Sequence, residues 1–269
     1  MLERQTDKLL HLVLLLSEQP REFCERVIGM WDSRIDRYWQ NPPPYTTVGW
    51  ETAISRLSQF VGTRLEDVLK ENALKNIEAE VSIAIKRMPA GEAFDLCHNG
   101  DFQLGRLCYA LARITRPAVV VETGVCYGVT SSFLLAALHA NGSGTLHSID
   151  LPPLGTNGER FVGRLIPDYM KDRWRLYRGL SQNLLPSILE KLGGVGLFLH
   201  DSLHTYRNMH RELEIVTPYL TGPAVVIADD IEGNGAFQEW VLKVNPFYSA
   251  VLEEQAKRVL LGLALLHEP

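Results

Sequence analysis

The chain has 269 residues, enough for one large α/β domain or for a domain of ordinary size with a helical extension. Apolar residues make up 46% and charged residues 22%, a balance typical of globular proteins that excludes extensive disorder. The formal net charge of -5 gives no electrostatic attraction to nucleic acid or to an anionic membrane, so a small or neutral substrate is favoured.

The cysteines and the N-terminal segment predict a cytoplasmic protein. The cysteines form no C-x-x-C pair and lie near no histidine cluster, which predicts free thiols in a reducing compartment and no zinc site. They are Cys24, Cys97, Cys108 and Cys126. The apolar run Leu9–Leu16 is too short to span a bilayer, so neither a signal peptide nor a membrane anchor is predicted.

Residues 1–100 are predicted to form a helical region. Apolar side chains recur every three or four positions over residues 9–31 and again over residues 50–69, as they do in amphipathic helices. The alternating apolar residues of 81–88 predict a short strand instead. We expect this region to be a packing cap or an interface between copies in a homo-oligomer, and a lid over the active site is the alternative.

A domain boundary is predicted near residue 100. The segment Gly91–Gly100 holds two glycines and interrupts the apolar periodicity, so residues 101–269 are expected to form a separate α/β domain. Its first helix is predicted over Phe102–Ile114, because Pro117 ends the apolar pattern just before a strand.

The stretch from Ala118 to Leu138 changes from a strand pattern to a helix pattern across a glycine-containing turn. Ala118–Val121 is an apolar, β-branched run that predicts a strand covered on both faces, and Glu122–Gly128 is predicted to be the turn. Gly124 and Gly128 accept backbone angles and close approaches that a side chain forbids. Two glycines four positions apart are a weak motif, so a tight turn without a ligand stays open for this loop alone.

Four further strands alternate with helices after this turn. The strands are predicted over Thr145–Ile149, Trp174–Tyr177, Val195–Leu199 and Ala224–Ala228, with two late segments, 251–253 and 259–266, as an antiparallel hairpin. This alternation predicts an α/β fold with a doubly wound, mostly parallel Rossmann-like sheet, closed by the hairpin and preceded by the helical extension.

Carboxylates stand where three of these strands end. Asp150 follows the second strand, where nucleotide-binding folds place a ligand for ribose hydroxyls, and the alternative is a cap of a helix or turn. Asp201 follows the fourth strand, and the pair Asp229 and Asp230 follows the fifth. The sequence therefore predicts a site at the carboxyl edge of the sheet.

Four blocks in order, VVVETGVCYGVTS, HSIDLPP, FLHDSLHTY and VVIADDIEGNGAF, resemble class I S-adenosylmethionine-dependent methyltransferases. Within that class they are similar to a bacterial subfamily related to sugar and caffeoyl-type O-methyltransferases. The resemblance covers the chain from about Phe102 to its end. It implies an enzyme that uses S-adenosylmethionine to methylate a hydroxyl of a small molecule or sugar.

The resemblance also implies which residues contact the cofactor. They are Glu122, Gly124, Tyr127, Gly128, Asp150, Ser181 and Asp201, to which Thr130 at the start of the helix after the turn is added. One alternative is a scaffold that binds S-adenosylmethionine without catalysis. The other is an NAD-dependent oxidoreductase, against which Cys126 argues because it interrupts the G-x-G-x-x-G fingerprint.

A divalent metal is one predicted device for removing the acceptor's proton. Asp201, one of Asp229 and Asp230, and Asn234 offer oxygen ligands suited to Mg²⁺, which would lower the pKa of the acceptor hydroxyl. Neighbouring residues at a strand end point in opposite ways, so only one aspartate of the pair should face the site, and Asp230 is predicted. In the alternative without metal, Asp201 holds the cofactor's amino group while the pair caps loops.

His204 is the second predicted device, as the general base. It is expected in the first turn of a helix over Leu203–Val216, away from a buried face of Leu203, Tyr206, His210 and Leu213. Because a helix N-terminus disfavours imidazolium, the ring should be neutral and able to accept a proton. A surface or capping histidine is the alternative.

Overall fold

The computed structural model describes residues 12–39, 44–88, 101–152, 158–255 and 258–266. Its helices are α1 (residues 12–18), α2 (Pro20–Trp39), α3 (Trp50–Val61), α4 (Leu65–Val68), α5 (Asn72–Lys86), α6 (Phe102–Thr115), α7 (Val129–Asn141), α8 (Ser181–Leu192), α9 (Tyr206–Val216) and α10 (Ala236–Val244). Its strands are β1 (Val119–Thr123), β2 (Thr145–Asp150), β3 (Trp174–Arg178), β4 (Val195–His200), β5 (Leu220–Ala228), β6 (Tyr248–Glu253) and β7 (Leu260–Leu265). Within these ranges, no helix has the length and apolar character needed to cross a membrane.

The strands of the described residues form one sheet in the order β3-β2-β1-β4-β5-β7-β6. β1 pairs in parallel with both β2 and β4, while β7 is antiparallel to β5 and β6. The predicted doubly wound sheet with a closing antiparallel hairpin is therefore confirmed. The strand order reverses between β1 and β4, so their carboxyl ends flank the crevice in which open α/β sheets bind ligands.

The central strands are apolar because helices cover both faces of the sheet. Val120 and Leu197 belong to one buried cluster, whereas Val121 and Phe198 belong to the cluster on the opposite face. Successive residues of a strand point to opposite faces, so a strand covered on both sides is read as a continuous apolar run.

Helices α3, α4 and α5 pack on the same core as the α/β part of the chain. Leu57 of α3 and Leu74 of α5 are buried in one cluster with Leu107 of α6. The Arg113 guanidinium and the Tyr109 hydroxyl donate to the carboxylate of Glu71, which precedes α5. The predicted joint Gly91–Gly100 lies outside the described residues, and the boundary near residue 100 stays a prediction.

Helix α2 lies across the carboxyl edge of the sheet. Its buried Glu22 forms an ion pair with Arg178 at the end of β3, 2.7 Å between Nη1 and Oε2. Arg26 of α2 donates to the carbonyl oxygen of Pro152, just after β2, at 2.8 Å. Helix α2 is thus attached to the edge at which the predicted cofactor residues stand.

The strand predicted within residues 81–88 is wrong, because α5 continues to Lys86. Leu74, Ile77 and Val81 are its buried residues and stand three and four positions apart, whereas Ile83 is 48% exposed. Because this face of the helix packs on the core, the spacing of three and four residues decides the structure, and the short alternation of apolar residues after Val81 does not.

Two element boundaries also differ from the predictions. β1 continues to Thr123, so Glu122 lies within the strand and not in the turn. α9 begins only at Tyr206, because Thr205 is its N-cap and the Thr205 hydroxyl accepts the N–H of Asn208 at 3.3 Å. His204 therefore precedes the helix.

The buried face of α9 differs from the predicted one as well. Leu203 lies outside the helix and is 42% exposed. The buried residues of the helix are Asn208, Met209, Glu212, Leu213 and Val216, two of which are polar.

Candidate functional site

The turn after β1 is packed directly against the chain that follows β4. Gly124 has a φ of 86°, and a Cβ at this position would lie 1.8 Å from the carbonyl oxygen of Asp201. Gly128 has a φ of 88°, and its Cβ would lie 2.9 Å from the Cα of Gly163. Both glycines are therefore required by the close approach of backbone to backbone, as well as by their left-handed conformation.

Asp150 holds this turn from the end of β2. Its Oδ2 accepts the backbone N–H groups of Val125 at 2.9 Å and Cys126 at 2.8 Å. Burial raises the pKa of Asp150, and these two hydrogen bonds oppose that shift. The side chain keeps partial exposure at the crevice, where it was predicted to meet a ribose.

The first turn of α7 presents donors towards the same region. Its N-cap is Gly128, which provides no side chain to accept the free backbone amides. The Thr130 hydroxyl is buried and has no hydrogen-bond partner among the described residues. Backbone amides at a helix N-terminus favour an anionic group, and a buried hydroxyl without a partner calls for a polar ligand.

Glu122 lies beneath the turn in a fully buried position. Its Oε1 accepts the hydroxyls of Ser131 and Ser148, each at 2.5 Å. Burial raises the pKa of Glu122 to about 8 despite these two hydrogen bonds, so the carboxyl keeps its proton at neutral pH. In this structure it connects β1, β2 and α7.

The side chains of Tyr127 and Ser181 point into the protein. The Tyr127 ring is fully buried and lies edge-on to Phe161, with 6.4 Å between ring centroids. Ser181 begins α8, and its hydroxyl donates to the carboxylate of Glu212. Their contacts with a cofactor therefore stay a prediction.

An acidic cluster surrounds His204 at the carboxyl ends of β4 and β5. Ligand atoms of Asp201, His204 and Asp229 all lie within 4.8 Å of one another. Nδ1 of His204 is 2.9 Å from Oδ2 of Asp230, and Nε2 is 3.7 Å from Oδ1 of Asp201. Three carboxylates thus meet at one imidazole.

Both members of the aspartate pair reach this histidine, so the predicted opposite orientation is wrong. The prediction assumes that the alternation of side chains along β5 continues through Asp229 and Asp230. β5 ends at Ala228, and Asp230 has a left-handed backbone with φ of 51° and ψ of 43°. This turn redirects the second carboxylate towards the side that the first one faces.

The surroundings of His204 favour its protonated form, whereas the sequence predicted a neutral ring. Burial lowers the pKa of His204, but hydrogen bonds and charges from Asp201 and Asp230 prevail and raise it to about 10. The helix N-terminus has less influence than expected because His204 lies before α9, beside two carboxylates.

Asn234, predicted as a metal ligand, braces the loop after β5. Its amide oxygen accepts the N–H of Ala236 at 2.9 Å, and its backbone oxygen accepts the Tyr45 hydroxyl at 2.9 Å. Its amide nitrogen lies 3.4 Å from the carbonyl oxygen of His204. The first of these contacts occupies one lone pair of the amide oxygen that a metal would need.

Sequence reasoning missed Glu212, a fully buried carboxylate on α9. It accepts hydrogen bonds from side chains on β1, β4, α8, the loop after β4 and α9 itself. The partners are Thr123, Ser181, His200, Ser202 and Asn208. The signal that was available is the spacing of Asn208, Met209, Glu212 and Leu213, which places two polar residues on the apolar face of a helix.

The central part of the chain matches a known family. Residues 121–231 match the family described as a methyltransferase domain. No curated protein sequence matches the chain at a significant level.

Solved structures share the fold over most of their length. A methyltransferase from Podospora anserina bound to S-adenosylhomocysteine has 15% identity and a TM-score of 0.53, covering 80% of this chain and 96% of that one. An O-methyltransferase from Bacillus cereus, also with S-adenosylhomocysteine, has 17% identity and a TM-score of 0.52, covering 80% and 99%. The O-methyltransferase of Streptomyces achromogenes involved in tomaymycin synthesis, in complex with S-adenosylmethionine, has 16% identity and a TM-score of 0.53, covering 80% and 96%.

Proposed function

Because the chain carries a methyltransferase domain with the class I fold, we propose that it transfers a methyl group from S-adenosylmethionine to a hydroxyl of a small-molecule or sugar acceptor. The observation that carries this proposal is the contact of the glycine turn with the acidic cluster, where Gly124 meets the carbonyl oxygen of Asp201. A methyl donor on that turn would place its sulfonium beside groups able to bind and deprotonate an acceptor. Two proteins of similar fold are O-methyltransferases with S-adenosylhomocysteine or S-adenosylmethionine bound, which supports this choice of donor.

The residues that surround the crevice fit the donor's functional groups. Asp150 would accept hydrogen bonds from the ribose hydroxyls, as its position after β2 suggests. The amides of the first turn of α7 and the partnerless hydroxyl of Thr130 would bind the carboxylate of the methionine moiety. Gly124 and Gly128 keep the turn free of side chains, so the backbone can approach the ligand.

Methyl transfer to a hydroxyl requires alignment and loss of a proton. The acceptor oxygen attacks the methyl carbon while the carbon–sulfur bond breaks, which releases neutral S-adenosylhomocysteine, and the hydroxyl proton passes to a base. His204 is the proposed base, because it is the imidazole at the centre of the cluster. Asp230 lies 2.9 Å from Nδ1 and so sets the direction of the ring, while Nε2, 3.7 Å from Asp201, has no hydrogen-bond partner among the described residues and stays available.

The cluster also fits a divalent cation such as Mg²⁺. Asp201 and Asp229 would hold the ion, since their oxygens lie within 4.8 Å of each other and carboxylates are the ligands that Mg²⁺ prefers. When bound, such an ion would lower the pKa of the acceptor hydroxyl. Asp230, predicted as a ligand from the sequence, is assigned here to orient His204, and Asn234 is left out because its amide oxygen accepts the N–H of Ala236.

A bound cation would also change the pKa of the proposed base, His204. The pKa of His204 is raised to about 10 by Asp201 and Asp230, and an imidazolium cannot accept a proton. A cation bound to Asp201 would weaken the effect of this carboxylate on the pKa of His204 and so favour the neutral imidazole that a general base requires. Because the carboxylates of Asp201 and Asp229 lie close enough to share an ion, we expect methyl transfer to depend on a divalent cation.

Calorimetric titration with S-adenosylhomocysteine and with NADH separates the two cofactor classes. We expect binding of S-adenosylhomocysteine and none of NADH, and the opposite result would refute the methyltransferase proposal in favour of an oxidoreductase. Incubation with methyl-labelled donor and a cell extract then tests catalysis. If the protein binds the donor but no label is transferred to any acceptor, the protein is a scaffold and not an enzyme.

We also propose a cytoplasmic enzyme that forms a homo-oligomer through its first helices. Within the described part of the chain, Cys24, Cys108 and Cys126 form no disulfide, which supports a reducing compartment. Apolar side chains on α1 and α2 are more than half exposed, including Val13 at 59% and Trp31 at 60%, as they are in surfaces that cover each other. Light scattering after size-exclusion chromatography, for the wild type and for Trp31→Glu, measures the mass, and an unchanged monomer in both would refute the oligomer.

A further inference from the structure

We infer that Glu212 is a positioning residue for this reaction, which holds the loop bearing Asp201 and His204 in place from beneath. The inference rests on the proposed function, since it concerns the same acidic cluster. Glu212 itself is fully buried on α9 and contacts no proposed ligand.

The two neighbours of Asp201 in sequence both bind this carboxylate. Nδ1 of His200 lies 2.6 Å from Oε2 of Glu212, and the Ser202 hydroxyl donates to Oε1 at 2.9 Å. Asp201 is therefore held between two residues that share one anchor. Its direction towards the crevice is set by that pair.

The end of β1 is attached to the same anchor. The Thr123 hydroxyl donates to Oε2 of Glu212 at 2.5 Å, while the Thr123 carbonyl accepts the N–H of Asp201 at 2.9 Å. Thr123 directly precedes Gly124, the residue that touches the carbonyl oxygen of Asp201. Glu212 thus fixes the glycine turn and the acidic cluster relative to each other.

His204 is reached by two routes from Glu212. The Asn208 amide donates to Oε1 of Glu212 at 3.1 Å and to the carbonyl oxygen of Leu203 at 3.1 Å, which holds the backbone before His204. The His200 ring lies edge-on to the His204 ring, with 5.7 Å between centroids. Movement of the carboxylate would be passed to the proposed base.

The cost of this arrangement supports a functional role. Taking a carboxylate out of water costs several kcal/mol unless hydrogen bonds and charge compensate, and an apolar residue would fill the space without that cost. Burial raises the pKa of Glu212, but His200 and the hydroxyl donors prevail and lower it, so the group is charged. A charged acceptor is the one group that can bind so many donors from separate elements at a single point.

Glu212→Gln and its matched control Glu214→Gln test the role of the charge. Glu214 lies two residues on in the same helix and forms an exposed ion pair with Lys243. Mn²⁺ alone and S-adenosylhomocysteine serve as probes, titrated well below the unfolding midpoint that circular dichroism gives for each variant. Under those conditions a purely structural loss of stability leaves the dissociation constants unchanged.

We expect Glu212→Gln to weaken Mn²⁺ binding by about 10- to 100-fold, the range typical of residues that orient metal ligands. Glu214→Gln should bind Mn²⁺ as the wild type does. If Glu212→Gln does not fold, the Mn²⁺ affinity of Ser202→Ala tests the inference instead. This substitution removes one hydrogen-bond donor to the Glu212 carboxylate and leaves its pairing with His200 in place. Its control is Ser187→Ala, an exposed serine on α8.

Two outcomes separate the inference from the function on which it rests. Folded Glu212→Gln and Ser202→Ala proteins that bind Mn²⁺ like the wild type would overturn the positioning role. A wild type that fails to bind S-adenosylhomocysteine would instead overturn the proposed function. The wild-type titration decides the function, and the ratio of variant to wild type decides the role of Glu212.

Discussion

Substitution of Gly124 by alanine is expected to damage both stability and cofactor binding. The added Cβ would lie 1.8 Å from the carbonyl oxygen of Asp201 and 2.5 Å from its carbonyl carbon, on a backbone with φ of 86°. Both obstacles belong to the main chain, which cannot rotate away as a flexible side chain can. The chain after β4 therefore has to retreat by more than about 1 Å before the contact becomes tolerable.

The free energy of unfolding should fall by about 2–5 kcal/mol. A non-glycine residue in the left-handed region costs about 1–2 kcal/mol. Forcing an extra carbon into a packed site costs a further ~1–3 kcal/mol. Gly142→Ala is the matched control, because Gly142 has a φ of 69° and nothing lies within 4 Å of its added Cβ. Its free energy of unfolding should fall only by the cost of the left-handed backbone, about 1–2 kcal/mol.

Urea denaturation and titration with S-adenosylhomocysteine measure the two effects. Gly124→Ala should be destabilised more than Gly142→Ala by about 1–3 kcal/mol and should bind S-adenosylhomocysteine at least about 10-fold more weakly, because the Asp201 loop is displaced. Gly142→Ala should bind it like the wild type. Equal losses of stability in the two variants, with unchanged affinity in both, would refute the argument that Gly124 is set by the approach of Asp201.

Three further substitutions test the other parts of the site. The first is Glu122→Gln. In the wild type the pKa of Glu122 is raised from its ordinary value of 4.5 to about 8, so folding takes up a proton between these two pH values. The wild type should therefore lose stability towards urea as pH rises from 5 to 8, by up to about 1.4 kcal/mol per pH unit, whereas the variant should not, and parallel curves of stability against pH for the two proteins would contradict the buried acid. Asp150→Ala removes the acceptor of two backbone amides, and calorimetry should show S-adenosylhomocysteine binding weakened by about 1–3 kcal/mol, while Asp168→Ala at an exposed ion pair should have no effect; equal affinities would exclude Asp150 from the site. His204→Ala should lower the rate of label transfer by about 10²- to 10⁴-fold with S-adenosylhomocysteine affinity retained, and His210→Ala should not; full turnover in both would rule out the base.

The order of strands and helices in the α/β part of the chain was predictable because each element carries its own periodic signal. Buried strands such as Val195–His200 are nearly continuous apolar runs, and the helices between them repeat every three to four residues. The pattern was less informative where few residues carried it, and the alternation of Val81, Ile83 and Ile85 was overridden by the buried face of α5. The capping hydroxyl of Thr205, which starts α9, is visible in the sequence as an N-cap residue.

The sequence by itself also determined where the candidate site would be. Parallel strands end at one edge, so Asp150, Asp201 and the aspartate pair had to gather there. What only the tertiary structure decided are the contacts between residues that are distant in sequence or that follow a backbone turn. The left-handed conformation of Asp230 turns this second aspartate towards His204, and residues from β1, β4 and α8 meet at Glu212 on α9. Periodicity reports which side of its own element a residue faces, whereas such meetings depend on how the elements pack together.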